Sequence, residues 1–217
     1  MYGVCEKGAV WFAIGAAGMG DVIVDESVAL PQAVVQELRH LVNNDFSDTM
    51  FFDETKQAMV SVEQRTDVTG AEYKRRQPAF NDAAYAVLDR HGLGVRFEDR
   101  VSPNSEGTVP FRLDSTIIST DIESVSLDKN HAAERALAFF ADGGALPRLW
   151  RSVGDSRSDY RMADYLHEAG FDVSHVDVRP LDGILDSPYP VIVMGEQIHD
   201  EAGASFLAYW VEKLGLR

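Results

Sequence analysis

Leu149-Trp150-Arg151-Ser152-Val153-Gly154-Asp155-Ser156-Arg157-Ser158-Asp159-Tyr160-Arg161-Met162 opens on a short apolar run, breaks at Gly154 and leads toward a helix. Residues 149–153 read as a short buried strand, and residues 162–168 as a helix ended by Ala169-Gly170. Residues 173–178 are the next strand. Strand, helix, strand at this spacing predicts a parallel sheet with covered faces, and ligands of such sheets sit at the carboxyl ends of the strands. The turn after Val153 is therefore where chemistry is expected.

The same alternation extends to both sides. Residues 132–140 form an apolar helix ended by Gly143-Gly144, residues 191–194 a strand and residues 202–214 a closing helix. On that last helix Phe206, Tyr209 and Trp210 make a packing face. Before residue 119 the character is different. Leu30-Pro31 opens a helix in which Val34, Val35, Leu38, Leu41 and Val42 share one face, and Asn43-Asn44 ends it. Residues 50–52 and 58–62 form a hairpin, residues 70–93 hold a second helix, and residues 95–97, 109–113 and 116–119 look like strands. Residues 21–118 thus read as an α+β block. Residues 2–5 and 9–14 are two further strands, followed by a flexible glycine-rich connection over residues 15–20. Those glycines make neither a dinucleotide fingerprint nor a phosphate loop with its lysine.

The chain has 217 residues, with 45% hydrophobic and 25% charged residues. Its 20 Lys+Arg against 35 Asp+Glu give a formal charge of -15. At about 150 residues per domain this length permits one domain, or a core carrying a sizeable insertion. The acidic balance argues against an extended nucleic-acid surface, which needs clustered Lys and Arg. Cys5 is the single cysteine, which rules out an internal disulfide framework and a cysteine-rich zinc site, and favours a reducing compartment. No apolar run approaches the roughly 18 residues of a membrane helix. The uncharged segment at residues 8–20 follows Glu6 and Lys7, without the net positive charge of a signal peptide. A cytoplasmic, non-membrane protein is expected.

The turn after Val153 carries two carboxylates, Asp155 and Asp159, four residues apart. Oxygen ligands of that kind suit Mg²⁺ better than a soft metal. Helix capping explains the same residues without a metal: Ser156 or Ser158 can serve as N-cap, and an Asp near a helix start is favoured by the macrodipole. Lys129, one of only five lysines, stands at another helix start and at the end of an apparent strand over residues 123–127. A lysine so placed can hold a phosphate oxygen as a point charge, although most lysines are solvated surface residues.

Taken together, Lys129, a helix, a strand and Gly154-Asp155-Ser156-Arg157-Ser158-Asp159-Tyr160-Arg161-Met162 resemble the third and fourth motifs of haloacid dehalogenase superfamily phosphatases, in particular the sugar-phosphate phosphatase branch. Val4-Cys5-Glu6-Lys7-Gly8-Ala9-Val10 resembles the segment preceding the cap of that branch, with Lys7 where Asn is common. The resemblance implies an α/β, Rossmann-like core with a parallel sheet, formed by residues 1–20 and 119–217, and an inserted α+β cap over residues 21–118. It implies Mg²⁺ as cofactor, with Asp155 a direct ligand and Asp159 in its inner or outer shell. It further implies that Lys129 neutralises the phosphoryl group as a catalytic residue and that Ser156 and Ser158 shape the substrate-binding loop. The substrate would be a small phosphorylated metabolite such as a sugar phosphate.

The first motif of that family, an apolar strand running into Asp-x-Asp-x-Thr, is missing. Val22-Ile23-Val24-Asp25-Glu26-Ser27 and Phe51-Phe52-Asp53-Glu54-Thr55 each match it in part, and the Ser or Thr of the second motif is also missing. The chain resembles a member that begins after its first two motifs, and two functions are expected accordingly: a phosphatase whose activity requires a nucleophile not found here, or a catalytically inactive binding or regulatory protein. Loss of the central strands would expose paired edges or force a different strand order, answered by a partner chain, by self-association, by rearrangement of the early strands into the vacancy, or by a true start that lies upstream of Met1. The six histidines show no zinc-protease spacing, and no Gly-x-Ser-x-Gly elbow is present. His131, two residues beyond Lys129, is expected as a solvated histidine at a helix start, with substrate contact the other reading.

Overall fold

The computed structural model describes residues 2–142, 144–180 and 183–215. The chain divides into two compact units, Met1–Asp128 and Lys129–Arg217. Among the described residues no helix is long and apolar enough to cross a membrane.

The first unit begins with Tyr2–Cys5 (β1), Val10–Gly15 (β2), Gly18–Met19 (β3) and Ile23–Val24 (β4), with β2 paired antiparallel to the other three. The glycine-rich segment expected to be a loose connection is a tight hairpin. Gly15 pairs with Gly18, whose φ of 107° supplies the left-handed backbone the turn requires.

There follow Gln32–Leu41 (α1), Met50–Phe52 (β5), Val60–Gln64 (β6), Gly70–Arg90 (α2), Val95–Phe97 (β7), Arg100–Ser102 (β8), Phe111–Ser115 (β9) and Ser119–Ser124 (β10). Strands five to ten form one sheet in the order β5-β6-β10-β9-β7-β8, antiparallel throughout except for β7 beside β9. The apolar stripe read on α1 is buried at Val34 and Leu38. The helix does not stop at Asn43 but continues into one wider turn, Val42–Phe46, which puts both Val42 and Phe46 in the core. A capping box opens α2: the Thr69 hydroxyl accepts from the Glu72 N–H, and the Glu72 carboxylate accepts from the Thr69 N–H. Tyr73, Phe80 and Leu88 of this helix meet Val60, Val62 and Ile122 of the sheet.

Polar burial explains the element that periodicity placed elsewhere. In β10, Thr120 is fully buried and donates to Asn81 of α2 at 2.7 Å, while Gln77 donates to the Ser119 carbonyl at 2.9 Å. On the opposite face Glu123, with no exposed surface, lies between Lys7 at 2.7 Å and Arg112 at 2.7 Å. Residues 119–124 therefore complete the six-stranded sheet of the first unit. The expected boundary after residue 118 lies one strand short of the division at Asp128, and residues 1–20 fall in the first unit.

The second unit runs Lys129–Asp142 (α3), Leu149–Gly154 (β11), Tyr160–Glu168 (α4), Asp172–Asp177 (β12), Val191–Ile192 (β13) and His199–Lys213 (α5). Its sheet is parallel, in the order β11-β12-β13. Gly143, expected to help end α3, lies outside the described residues. One face packs Val173 and Trp150 against Ala133 of α3 and Tyr160, Ala163 and Leu166 of α4. The other packs Val176 and Val178 against Ala202 and Phe206 of α5. Phe206 and Trp210 belong to that packing face, whereas Tyr209 is about half exposed. The outer strand β11 leaves Leu149 and Val153 exposed.

Candidate functional site

At its carboxyl end β11 delivers the chain to Gly154, and α4 begins at Tyr160 after a short turn. The turn closes on Asp159, which is buried. A Cβ at Gly154 would overlap the Cβ and Cγ of Asp159, so glycine is what lets strand and helix start approach this closely.

Asp159 Oδ2 accepts three hydrogen bonds: from the Asp155 N–H at 3.1 Å, the Ser156 N–H at 3.0 Å and the Ser156 hydroxyl at 2.7 Å. Its Oδ1 is in contact with Lys129 Nζ, from the first residue of α3. Burial by itself would raise the Asp159 pKa. The hydrogen bonds from Lys129 and Ser156 and the charge of Lys129 outweigh it, and the group is held below the ordinary value of 3.8. Ser156 Oγ lies 2.9 Å from Ser158 Oγ.

Asp159 plays a part that neither reading of the acidic turn described. It occupies the N-cap position of α4, yet its carboxylate makes no capping bond to that helix. It gathers the N–H groups of the turn before it and pairs with Lys129. Lys129, Ser156, Ser158 and Asp159 are thereby brought together, while Asp155 shares the turn through its backbone and keeps an exposed side chain. His131 Nδ1 lies 3.8 Å from the Glu134 carboxylate on its own helix.

Mg²⁺ requires oxygen ligands in octahedral array and commonly takes one or two carboxylates, with water and substrate phosphate completing its shell. Among the described residues no three His, Cys, Asp or Glu side chains are grouped to hold a metal ion. Asp159 is engaged by the turn and by Lys129, so the one carboxylate of the turn that could meet a hard cation is the exposed Asp155. The two partial matches to a nucleophile motif are tied into local turns. Asp25 accepts from the Ser27 N–H and hydroxyl, and Asp53 accepts from the Thr55 N–H and hydroxyl.

Behind the turn lies a polar cluster that spacing arguments did not find. His175 of β12 is fully buried, with Nδ1 2.8 Å from Ser152 Oγ and its ring 4.0 Å from the Tyr160 ring. The Tyr160 hydroxyl donates to Asp177 at 2.6 Å, and Asp177 also accepts the Arg179 N–H at 2.8 Å. The available signal was His175-x-Asp177 on one face of a strand that ends beside the turn.

No family model matches the chain, and no curated protein is similar to it. Among solved structures it is similar to a trehalose-6-phosphate phosphatase related protein, at a TM-score of 0.57 and 12% identity, over 100% of this chain and 73% of that one. A trehalose-6-phosphate phosphatase from Aspergillus fumigatus superposes at a TM-score of 0.40 and 13% identity, over 87% of this chain and 63% of that one. The first likeness shows the fold alone: this is an α/β chain whose architecture is shared with that protein.

Proposed function

We propose that this chain binds a small phosphorylated metabolite, such as a sugar phosphate, together with Mg²⁺, as a haloacid dehalogenase-like phosphomonoesterase. The observation that carries the reading is the Lys129–Asp159 pair at the carboxyl end of β11, with Asp159 folding the Asp155–Ser156 backbone around itself. Lys129 neutralises phosphate charge from the start of α3. The hydroxyls of Ser156 and Ser158 hydrogen-bond phosphate oxygens, and the exposed Asp155 carboxylate holds the cation. Mg²⁺ supplies charge neutralisation at the phosphoryl group, the main requirement of phosphoryl transfer.

A second reading, a binding or regulatory protein without turnover, is favoured by one observation: the sequence contains no Asp-x-Asp-x-Thr segment. Hydrolysis of p-nitrophenyl phosphate with and without Mg²⁺ separates the two. Mg²⁺-dependent turnover lost in both Asp155→Asn and Lys129→Met supports the enzyme. Mg²⁺-dependent phosphate binding without turnover supports the binding protein. Turnover unchanged in both variants contradicts the assigned site.

A further inference from the structure

His175 is a fully buried ionisable group of the second unit that the phosphate reading leaves unused. Its Nδ1 is bonded to Ser152 Oγ, and its Nε2 is buried without a hydrogen-bond partner. A neutral ring tolerates this arrangement, since Nδ1–H donates to the serine oxygen and Nε2 keeps a bare lone pair. An imidazolium does not, because it carries two N–H donors and one of them would have no acceptor.

The charged groups that bear on the ring come from β12, α4 and α3, while β11 and β13 beside it bring only Ser152 and Val191. Asp177 is on its own strand, Asp159 and Asp164 come from the start and middle of α4, and Lys129 comes from α3. Ser152 and Tyr160 are the polar groups in contact. Burial, with help from Lys129, prevails over the three carboxylates and holds the ring pKa below its ordinary 6.5. The nearest route to an acceptor along the strand is Asp177, two residues on and on the same face, and the Tyr160 hydroxyl occupies it. Tyr160 directly follows Asp159, so its anchorage fixes where α4 begins.

We propose that His175 is a proton-operated latch beneath the residue 155–159 turn. Neutral, it leaves Tyr160 anchored on Asp177. Protonated, it competes for Asp177, releases the Tyr160 hydroxyl and loosens the start of α4. One proton enters from solvent and no covalent bond changes. The inference does not depend on the phosphate reading, since it concerns the turn's own stability.

The test is urea unfolding and amide hydrogen exchange of the whole chain between pH 7.5 and 5.0, for wild type and His175→Gln. The unfolded histidine takes up its proton near 6.5 and the native one only below that. Each pH unit in between therefore lowers the wild-type folded-to-unfolded ratio by up to about tenfold more than in the glutamine variant. Protection factors at residues 156–161, corrected for the intrinsic slowing of amide exchange toward acid, fall over the same range in wild type alone. Equal pH dependence in the two proteins overturns the latch. If His175→Gln does not fold, Tyr160→Phe answers the question: it frees Asp177 for the imidazolium, so its histidine C–H resonance titrates at higher pH than in wild type. An unshifted titration overturns the proposal.

Discussion

Gly154 and Asp159 cannot both carry a Cβ where they stand: one built on the glycine would fall on the aspartate side chain. Gly154→Ala is therefore expected to push Asp159 off Lys129 and off the turn, at a cost of about 1–3 kcal/mol typical of overpacking. Urea unfolding checks the loss, and an alanine variant as stable as wild type contradicts the packing described.

Asp159→Asn removes one charge of a pair whose acid is buried and whose lysine is partly so. Breaking such a pair while one charge remains costs on the order of 2–4 kcal/mol, reduced here because Lys129 reaches solvent. Because the native Asp159 pKa lies below 3.8, its contribution is complete above the unfolded value and lost as pH falls through the native one. Acid titration of stability should show this component in wild type and not in the asparagine variant.

Glu123 behaves in the opposite sense. Burial raises its pKa above 4.5, and the opposing effects of Lys7 and Arg112 do not reverse this. The native state then holds the proton more tightly than the unfolded chain. As pH falls from the native pKa toward 4.5, this residue adds stability rather than losing it. Glu123→Gln abolishes that gain. It also leaves Lys7 with Asp121 at 3.7 Å and Arg112 with the Leu127 carbonyl at 2.8 Å, and because the raised pKa marks the ionised carboxylate as the less favoured form in the native state, no loss of stability is expected near neutrality. Chemical denaturation at pH 7 and pH 5 checks both expectations.

Thr69→Ala removes the hydroxyl half of the capping box and is expected to cost about 1 kcal/mol, measurable in the same assay. A loss of several kcal/mol would show a role beyond the helix end.

The second unit was legible because its apolar runs alternate strand and helix, and because Gly154 separates them. Val153, Gly154 and Asp159 could be assigned to strand end, turn and helix start from residue types alone. Strand Ser119–Ser124 was less legible. Only Ile122 among its residues is apolar, and what buries the rest is hydrogen bonding to Gln77 and Asn81 on one face and ion pairing to Lys7 and Arg112 on the other. Hydrophobic periodicity does not register polar groups that are buried because they are satisfied. The same limit hid His175 and Asp177. The resemblance implied a direct ligand in Asp155 and an inner- or outer-shell group in Asp159; the fold makes one an exposed carboxylate and the other the centre of its turn.

Calorimetric titration of inorganic phosphate in the presence and absence of Mg²⁺ tests most directly that the Lys129–Asp159 turn is a phosphate and cation site. The account predicts binding that strengthens with Mg²⁺, falls at least about tenfold in Asp155→Asn and is abolished in Lys129→Met, a tenfold change being about 1.4 kcal/mol. Phosphate binding that ignores Mg²⁺ and survives both substitutions would contradict it.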